Sequence, residues 1–280
     1  DALDHGYPVL ALETANVTHS MPRPLNLETA KAVQEQILAA DVVPAAIAAI
    51  DGDAVIGLTE SELERIANEP DPVRVAISDL PIVETRKLTG GTNLGAVIHL
   101  AHRAGIKVCA TTGLGGVHRA SRRGSLIQES SDLMALSTHP LVLVTSGVRP
   151  MLDVAATLER LETMGIPVLG YRTLQFPSMY LAETGYEVDH RVESASEIAD
   201  IARARDELNL SQSLVIANPT PPDLEVSDYQ ARVSEAIEIA SHLPEGGAED
   251  TQVLLASFEE ATHGQARKLN TELYRRNVAL

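Results

Sequence analysis

The stretch Val108-Cys-Ala-Thr-Thr-Gly-Leu-Gly-Gly-Val-His-Arg119 gathers residue types that handle anions. Gly113, Gly115 and Gly116 fall within four residues after an apolar run, and His118 and Arg119 follow at once. Glycines placed after a strand let the backbone turn sharply and aim its N–H groups at a ligand. Arginine binds phosphate as a two-pronged donor. The same glycines also suit an ordinary strand-to-loop turn, where they serve geometry alone. No Gly-Lys-Ser/Thr follows, so this is not a Walker loop, and no helix with a ribose-binding acid follows at dinucleotide spacing.

Polar clusters also close other apolar runs. Glu13 ends Tyr7 to Glu13 and leads into Thr14, Asn16, Thr18 and His19. Arg74 to Asp79, Ser146 to Arg149, Arg172 with Thr173, and Asn218 hold similar places. Gly90-Gly-Thr-Asn93 opens a helix, which collects N–H groups and small hydroxyls at a second anion-friendly point. In a mostly parallel sheet such strand ends converge on one edge. Carboxylates, histidines and arginines gathered there describe a pocket for a phosphorylated or otherwise anionic small molecule.

The elements that must position these residues alternate along the chain. Short apolar runs predict strands at 7–13, 44–50, 54–57, 73–77, 106–110, 141–145, 166–171 and 214–217. Asp51-Gly52-Asp53 reads as a hairpin turn. Apolar residues three and four apart predict helices at 27–40, 59–68, 94–104, 151–164, 194–208, 228–242, 251–262 and 265–278, with a short one from Ser130 to Ser137. Asn26, Thr59 with Glu62, Ser130 to Asp132, and Ser194 with Glu197 are the expected caps. Ser121 to Gly124 reads as exposed, and Pro219–Pro222 and Pro244–Asp250 as loops. The alternation predicts a three-layer α/β/α fold with a mostly parallel sheet, in one domain over residues 1–280.

Bulk composition bounds the function. The 280 residues carry a net charge of −17, which argues against a nucleic-acid polymer or an anionic membrane surface as partner. Apolar residues make up 44%, enough for a sizeable core. The lysines are Lys31, Lys87, Lys107 and Lys268, so most basic residues are arginines. Cys109 is the only cysteine, sits in an expected core strand and has no intrachain partner. No apolar run reaches 18 residues and no charged-then-apolar leader precedes Pro8, which predicts a soluble, cytoplasmic protein.

Ala11-Leu-Glu-Thr…Thr18-His-Ser-Met-Pro22 resembles the ALEST…SHGMP motif of the pseudouridine-5′-phosphate glycosidases, an indigoidine synthase A-like family. So do Asp79-Leu-Pro81, Ala104-Gly-Ile-Lys-Val108, Gly113-Leu-Gly-Gly-Val-His-Arg119, Ser130-Ser-Asp-Leu133, Gly165-Ile-Pro-Val-Leu-Gly-Tyr171, Ser194-Ala-Ser-Glu-Ile-Ala199 and Ala217-Asn-Pro219. These run in order from about Pro8 to Asn270. The resemblance implies the family's α/β/α fold, a homotrimer, and a divalent metal such as Mn²⁺. It implies reversible cleavage of the C–C glycosidic bond of pseudouridine 5′-phosphate to uracil and ribose 5-phosphate. Some relatives run the reaction towards synthesis, joining ribose 5-phosphate to other aromatic carbon nucleophiles. A family lysine forms an imine with the opened sugar, and a glutamate moves protons at the broken bond.

Carried over by position, Glu13 matches the proton-donor glutamate. Ser130, Ser131 and Asp132 match the Ser-Ala-Asp substrate run. Leu94, His118 and Asn270 match substrate contacts. Arg149, in Gly147-Val-Arg-Pro-Met-Leu-Asp153, stands where the nucleophilic lysine belongs, and Arg74 where a second substrate lysine belongs. Gln128 stands at the metal-binding aspartate, across an insertion around Arg122 to Leu126, with Glu129 as a substitute metal ligand. Ser20 replaces a glycine. Arginine stays protonated and forms no catalytic imine.

Three readings follow: a C-glycosidase or C-glycosynthase on a ribose-5-phosphate C-nucleoside with an altered mechanism, an inactive or repurposed relative that binds a sugar phosphate or nucleotide, and metal-independent acid–base chemistry through Glu13 and Asp132. A shift of the nucleophile to Lys87 is the alternative to its loss.

Overall fold

The computed structural model describes residues 2–119, 128–242 and 251–280. The expected exposed run Ser121 to Gly124, the insertion around Arg122 to Leu126 and the Pro244–Asp250 loop lie outside them. In chain order the first elements are β1 (Val9–Glu13), α1 (Leu25–Leu38), β2 (Val43–Ile50), β3 (Asp53–Ile56), α2 (Glu60–Asn68), β4 (Val73–Val75) and α3 (Leu80–Arg86). Next come β5 (Gly90–Thr92), α4 (Leu94–Arg103), β6 (Val108–Ala110), β7 (Val117–His118), α5 (Ser131–Thr138), β8 (Val142–Thr145), β9 (Leu152–Asp153) and α6 (Val154–Thr163). The chain closes with β10 (Val168–Tyr171), β11 (His190–Val192), α7 (Ala195–Glu207), β12 (Leu214–Ala217), α8 (Tyr229–Ser241), α9 (Thr251–Ala261) and α10 (Gln265–Ala279).

One twisted sheet runs in the order β11-β10-β12-β8-β6-β1-β2-β5-β4, with β3 paired to β2. Every pairing from β11 across to β2 is parallel, whereas β2 meets β3 and β5 antiparallel. Parallel strands are covered on both faces, so they read as unbroken apolar runs, as VLALE and VPAAIAAI do. Period-two alternation then divides the core. Ala11, Ile47, Cys109 and Leu143 pack with Leu94, Val97, Ile98, Leu133 and Leu161 of α4, α5 and α6. Leu10, Leu12, Ala46, Ala110 and Val144 pack on the other face with Val33, Ile37, Leu63, Ile66, Ile198 and Tyr274 of α1, α2, α7 and α10. This is the expected three-layer arrangement.

A third cluster joins α8, α9 and α10 to Met151, Met179 and Tyr180 beyond the strand ends. Phe258 is its centre, 1% exposed, stacked on Tyr180 at 5.8 Å and edge-on to Tyr229 at 6.0 Å. Burying such a ring is worth about 1.5–3 kcal/mol. These C-terminal helices roof the edge where the strands end.

Several expectations need correction. Asn26 does not cap α1: it lies inside the helix, where its amide donates to Val17 O at 2.8 Å and Ala67 O at 3.0 Å. The helix expected from Met151 starts at Val154, because Asp153 caps it by accepting from Ala156 N at 2.9 Å. Leu152 and Asp153 are instead a strand pairing with His118 and Val117. Gly90 to Thr92 form a strand, and the expected helix follows it at Leu94, capped by Asn93, which accepts from Ala96 N. Leu80-Pro81 starts α3 rather than merely ending a strand, since proline suits a first helical turn. Residues 16–20 form a π-helical turn that no periodicity signalled. Glu197 does accept an N–H, but from Glu193 at 2.8 Å, while Ser194 accepts from Glu197 N.

Candidate active site

The strand ends converge on a cavity of about 490 Å³, roofed by α9 and α10. Glu13, Arg74, Gly113 and Arg149 line it from the sheet side, and Phe258, Glu259, Arg267 and Asn270 from the roof. Glu13 shares a strand face with Ala11, so its carboxylate projects beyond the core that Ala11 helps to build. It is 9% exposed, and Thr111 Oγ1 donates to its Oε1. Among the described residues, no hydrogen bond engages Oε2. Burial pushes the carboxyl above its usual range, while Arg149 pulls it down, as do Thr111 and Arg74 more weakly. Glu13 is thus set to hold a proton more readily than a surface glutamate.

Backbone pairing between loops fixes Arg149. Leu114 N donates to Gly147 O at 2.8 Å, Arg149 N to Leu114 O at 3.1 Å, and Ser146 N to Thr112 O at 3.0 Å. A Cβ on Gly113 would lie 2.0 Å from Met179 Sδ and 3.2 Å from Arg149 Cγ. Met179 fills the space that a side chain there would take, and Arg149 passes beside it. Arg74 arrives on β4, which pairs with β5 through Arg74 and Gly91. A Cβ on Gly91 would lie 2.3 Å from Thr18 Oγ1, so glycine lets the π-helical turn close in. That turn brings Asn16, His19 and Ser20 to the lining. Irregular turns of this type recur at functional sites.

Asn277 anchors the roof. Its amide donates to Thr111 O at 2.8 Å and Ser146 Oγ at 3.0 Å, and its Oδ1 accepts from Asn218 at 2.9 Å. This buried network ties α10 to the ends of β6, β8 and β12. Asn270 lies two turns earlier on the same helix and is thereby held over the cavity. Its Oδ1 is buried with no hydrogen-bond partner among the described residues. A buried carbonyl of this kind calls for a donor, which a ligand hydroxyl supplies. Asn277 carried no motif; only its spacing from Asn270 and Leu273 marked it as inward-facing.

The other expected site residues lie around the cavity without lining it. Asp132 is buried, and its two oxygens accept from Gly95 N at 2.9 Å and Gly115 N at 3.1 Å. Ser130 caps α5 by accepting from Asp132 N, and sits where a Cβ on Gly115 would fall 2.3 Å from its Oγ. Ser131 opens α5 beside Gly95. These three brace the glycine-rich loop from behind. Leu94 is fully buried, and the amides after it are taken: Gly95 N by Asp132 and Ala96 N by Asn93. The helix start therefore offers fewer open N–H groups than its sequence suggests. His118 is paired in β7 with Leu152, and burial and Arg149 lower its pKa. Arg172 turns away, donating to Glu193 O at 3.1 Å and covering the Tyr171 ring at 4.9 Å. Asn218 serves the Asn277 network, and Asp79 accepts from Ala76 N at 2.9 Å.

Among the described residues no lysine lines the cavity. Lys87 is exposed in a left-handed conformation after α3, packed against Gly52 of the hairpin. Lys31 pairs with Glu60 and Glu64 at 2.7 Å, and Lys107 with Asp206 at 3.3 Å. Among the described residues the lining holds Arg74, Arg149 and Arg267 against Glu13 and Glu259, a local positive excess in an acidic protein. Arg267 is partly spent on Glu259, at 3.0 Å.

A hard divalent cation needs several oxygens free to bind, some of them charged. Glu129 is ion-paired with Arg160 at 2.7 Å, and Asp132 is spent on two amides. Gln128 supplies a neutral amide, and its backbone carbonyl accepts from His118 N at 2.9 Å. Among the described residues no group of three His, Cys, Asp or Glu is placed to hold a metal ion. This donor set does not fit the Mn²⁺ that the resemblance implies.

The family model described as indigoidine synthase A like protein matches residues 1–280. The chain belongs to that family. It is 42% identical over 281 residues to the pseudouridine-5′-phosphate glycosidase of Saccharopolyspora erythraea, covering 100% of this chain and 92% of that one. The Frankia alni protein of the same name is 41% identical over 282 residues, with 100% and 78% covered. An indigoidine synthase A-like crystal structure from Thermotoga maritima superposes with a TM-score of 0.90 at 33% identity, covering 98% of this chain and 91% of that one. The prealnumycin C-glycosynthase AlnA, solved with ribulose 5-phosphate, gives 0.86 at 29% identity, with 99% and 90% covered. No helix of this family member, among the described residues, is long and apolar enough to cross a membrane.

Because burial raises the pKa of Glu13, its protonated form is the stabilised one. Its stabilising contribution is complete below the unfolded-state pKa and is lost as pH rises through the folded-state value. Glu13→Gln should therefore raise Tm at pH 8 by a few degrees, since about 1 kcal/mol is worth about 2–4 °C in a domain of roughly this size. The gain should vanish towards pH 4. Calorimetric scans at both pH values check this, and a fall in Tm at pH 8 would contradict the burial argument.

Proposed function

We propose that this protein binds ribose 5-phosphate and makes or breaks the C–C bond between the ribose C1 and an aromatic carbon, without a lysine imine. The observation that carries this reading is the buried Glu13 facing Arg149 in a cavity that no lysine lines. The family relatives named as pseudouridine-5′-phosphate glycosidases, and the C-glycosynthase solved with ribulose 5-phosphate, support the ligand class.

In this reading the sugar reacts in its open-chain form. Arg149 polarises the C1 carbonyl and pairs with the oxyanion left on O1 when the aromatic carbon attacks. Glu13 removes the proton from that aromatic carbon and passes it to the O1 oxyanion, and the O4 hydroxyl proton, relayed through the same carboxyl, supplies the second as O4 closes on C1 and O1 leaves as water. Cleavage is the reverse: Glu13 protonates the aromatic carbon as the bond to C1 breaks. A guanidinium-bound carbonyl is a weaker electron sink than an imine, so turnover of pseudouridine 5′-phosphate is expected to be slow. The deciding assay is incubation with ribose 5-phosphate and uracil, read for pseudouridine 5′-phosphate. Product absent with every aromatic carbon nucleophile tried, alongside intact sugar-phosphate binding, would favour the reading as a binding protein, for which the missing lysine is the specific support.

Arg74 and Asn270 are assigned to the phosphate end, with Ser130 acting through the loop it braces. A charged hydrogen bond is worth roughly 1.5–3 kcal/mol. Arg74→Ala should weaken ribose 5-phosphate binding by about tenfold or more in calorimetry. Unchanged affinity would remove Arg74 from the assignment. Metal is not required in this reading, so dialysis against a chelator should leave that affinity unaltered. A Mn²⁺ ion that survives the chelator would show that other donors complete a site.

A further inference from the structure

We propose that the cavity also interconverts ribose 5-phosphate and ribulose 5-phosphate, with Glu13 moving the proton between C2 and C1 and Arg149 holding the oxyanion. This rests on the sugar-phosphate ligand of the preceding reading and adds a reaction that needs no second substrate.

The groups for an aldose–ketose isomerisation are a base beside C2 and a fixed cation beside O1. Glu13 supplies the base: it lines the cavity, Thr111 holds its Oε1, and no hydrogen bond among the described residues engages Oε2. Arg149 supplies the cation; backbone bonds of its loop to Leu114 fix its main chain, and its Cγ lies beside Gly113. A main chain fixed before any ligand arrives reduces the reorganisation needed as charge develops. A cation there opposes a positive centre at C1 and favours a negative one on O1. With no lysine in the lining, the aldehyde cannot be trapped as an imine and stays available for enolisation. Met21, Met179, Tyr180 and Phe258 line the same space, which limits protonation of the intermediate by bulk water.

The step balances within the sugar and one carboxyl. Glu13 carboxylate takes the C2 proton, and the C–H electron pair forms the C1=C2 double bond. The C1=O pair moves to O1, giving an enediolate paired with Arg149. The O2 proton passes to O1 across the cis-enediolate, and the O2 pair becomes the new C2=O bond. Glu13 returns its proton to C1. The burial that raises the carboxyl pKa helps this role, because one group must both take and give the proton.

The test is proton NMR of ribose 5-phosphate in D2O with the unmodified protein, and no aromatic nucleophile present. The expected result is loss of the C2 proton signal and growth of ribulose 5-phosphate at least tenfold faster than in the buffer blank. Glu13→Gln, purified in parallel to control for host isomerase, should abolish this while retaining calorimetric binding of ribose 5-phosphate. Arg149→Met should slow it at least tenfold. Binding without exchange above the blank overturns the isomerisation and leaves the preceding reading standing. No binding at all overturns both, and exchange that persists in Glu13→Gln overturns the assignment of the base.

Discussion

Borohydride reduction in the presence of ribose 5-phosphate should leave no adduct at position 149 of the unmodified protein, and should label Arg149→Lys. An imine needs an amine that is neutral for part of the time, and lysine can be tuned to that by burial and neighbouring cations. Arginine, with its delocalised charge and a pKa above about 12, cannot. The replacement lysine would sit in a loop already pinned to Leu114, beside Gly113 and across from Glu13. We therefore expect Arg149→Lys to cleave pseudouridine 5′-phosphate at least about tenfold faster than the unmodified protein, a barrier lowered by about 1.4 kcal/mol or more. Mass spectrometry of the reduced mixtures and a uracil-release assay read the two effects. A stable adduct on Lys87 of the unmodified protein would overturn the loss of the nucleophile, against the exposed position of that side chain behind the hairpin.

Gly147→Ala should be strongly destabilising. Gly147 has φ +88°, and a Cβ there would lie 1.8 Å from Pro177 O, a backbone atom that cannot swing aside. Left-handed strain of about 1–3 kcal/mol adds to the clash. We expect a loss of about 4 kcal/mol or more, on the order of 10 °C in Tm. Because the same loop carries Arg149, ribose 5-phosphate binding should weaken too. Gly57→Ala is the control. Its φ is +84°, but nothing lies within 4 Å of its Cβ position, so only the strain applies. Equal losses at both positions would show that the contact with Pro177 contributes nothing.

Much of the fold was legible because it follows from local pattern. Unbroken apolar runs such as VLALE and LVIA announce strands covered on both faces, and the Thr59 and Glu62 capping box starts its helix where expected. Features that depend on a distant partner were not legible. Asn26 looks like a cap in sequence, yet its amide is claimed by Val17 and Ala67. The LD pair before α6 looks helical, but pairs with the strand after the glycine-rich loop.

For the site, residue identity alone determined what chemistry is available: a glutamate closing a strand, arginines at positions 74 and 149, and lysines confined to positions 31, 87, 107 and 268. Those facts are independent of geometry, since no fold turns a guanidinium into a nucleophile. Only the tertiary structure decided which of those residues share the cavity. Glu13, Arg74, Arg149 and Asn270 do, brought together from near the two ends of the chain and from between them. Asp132 and Ser130 stand behind, because two backbone amides claim the carboxylate before any ligand can. Burial, which sequence spacing cannot supply, raised the pKa of Glu13 and left Asn270 Oδ1 without a donor among the described residues. Desolvation and hydrogen-bond competition are sums over neighbours far apart in the chain, and they exist only once the strands, loops and C-terminal roof have closed on one another.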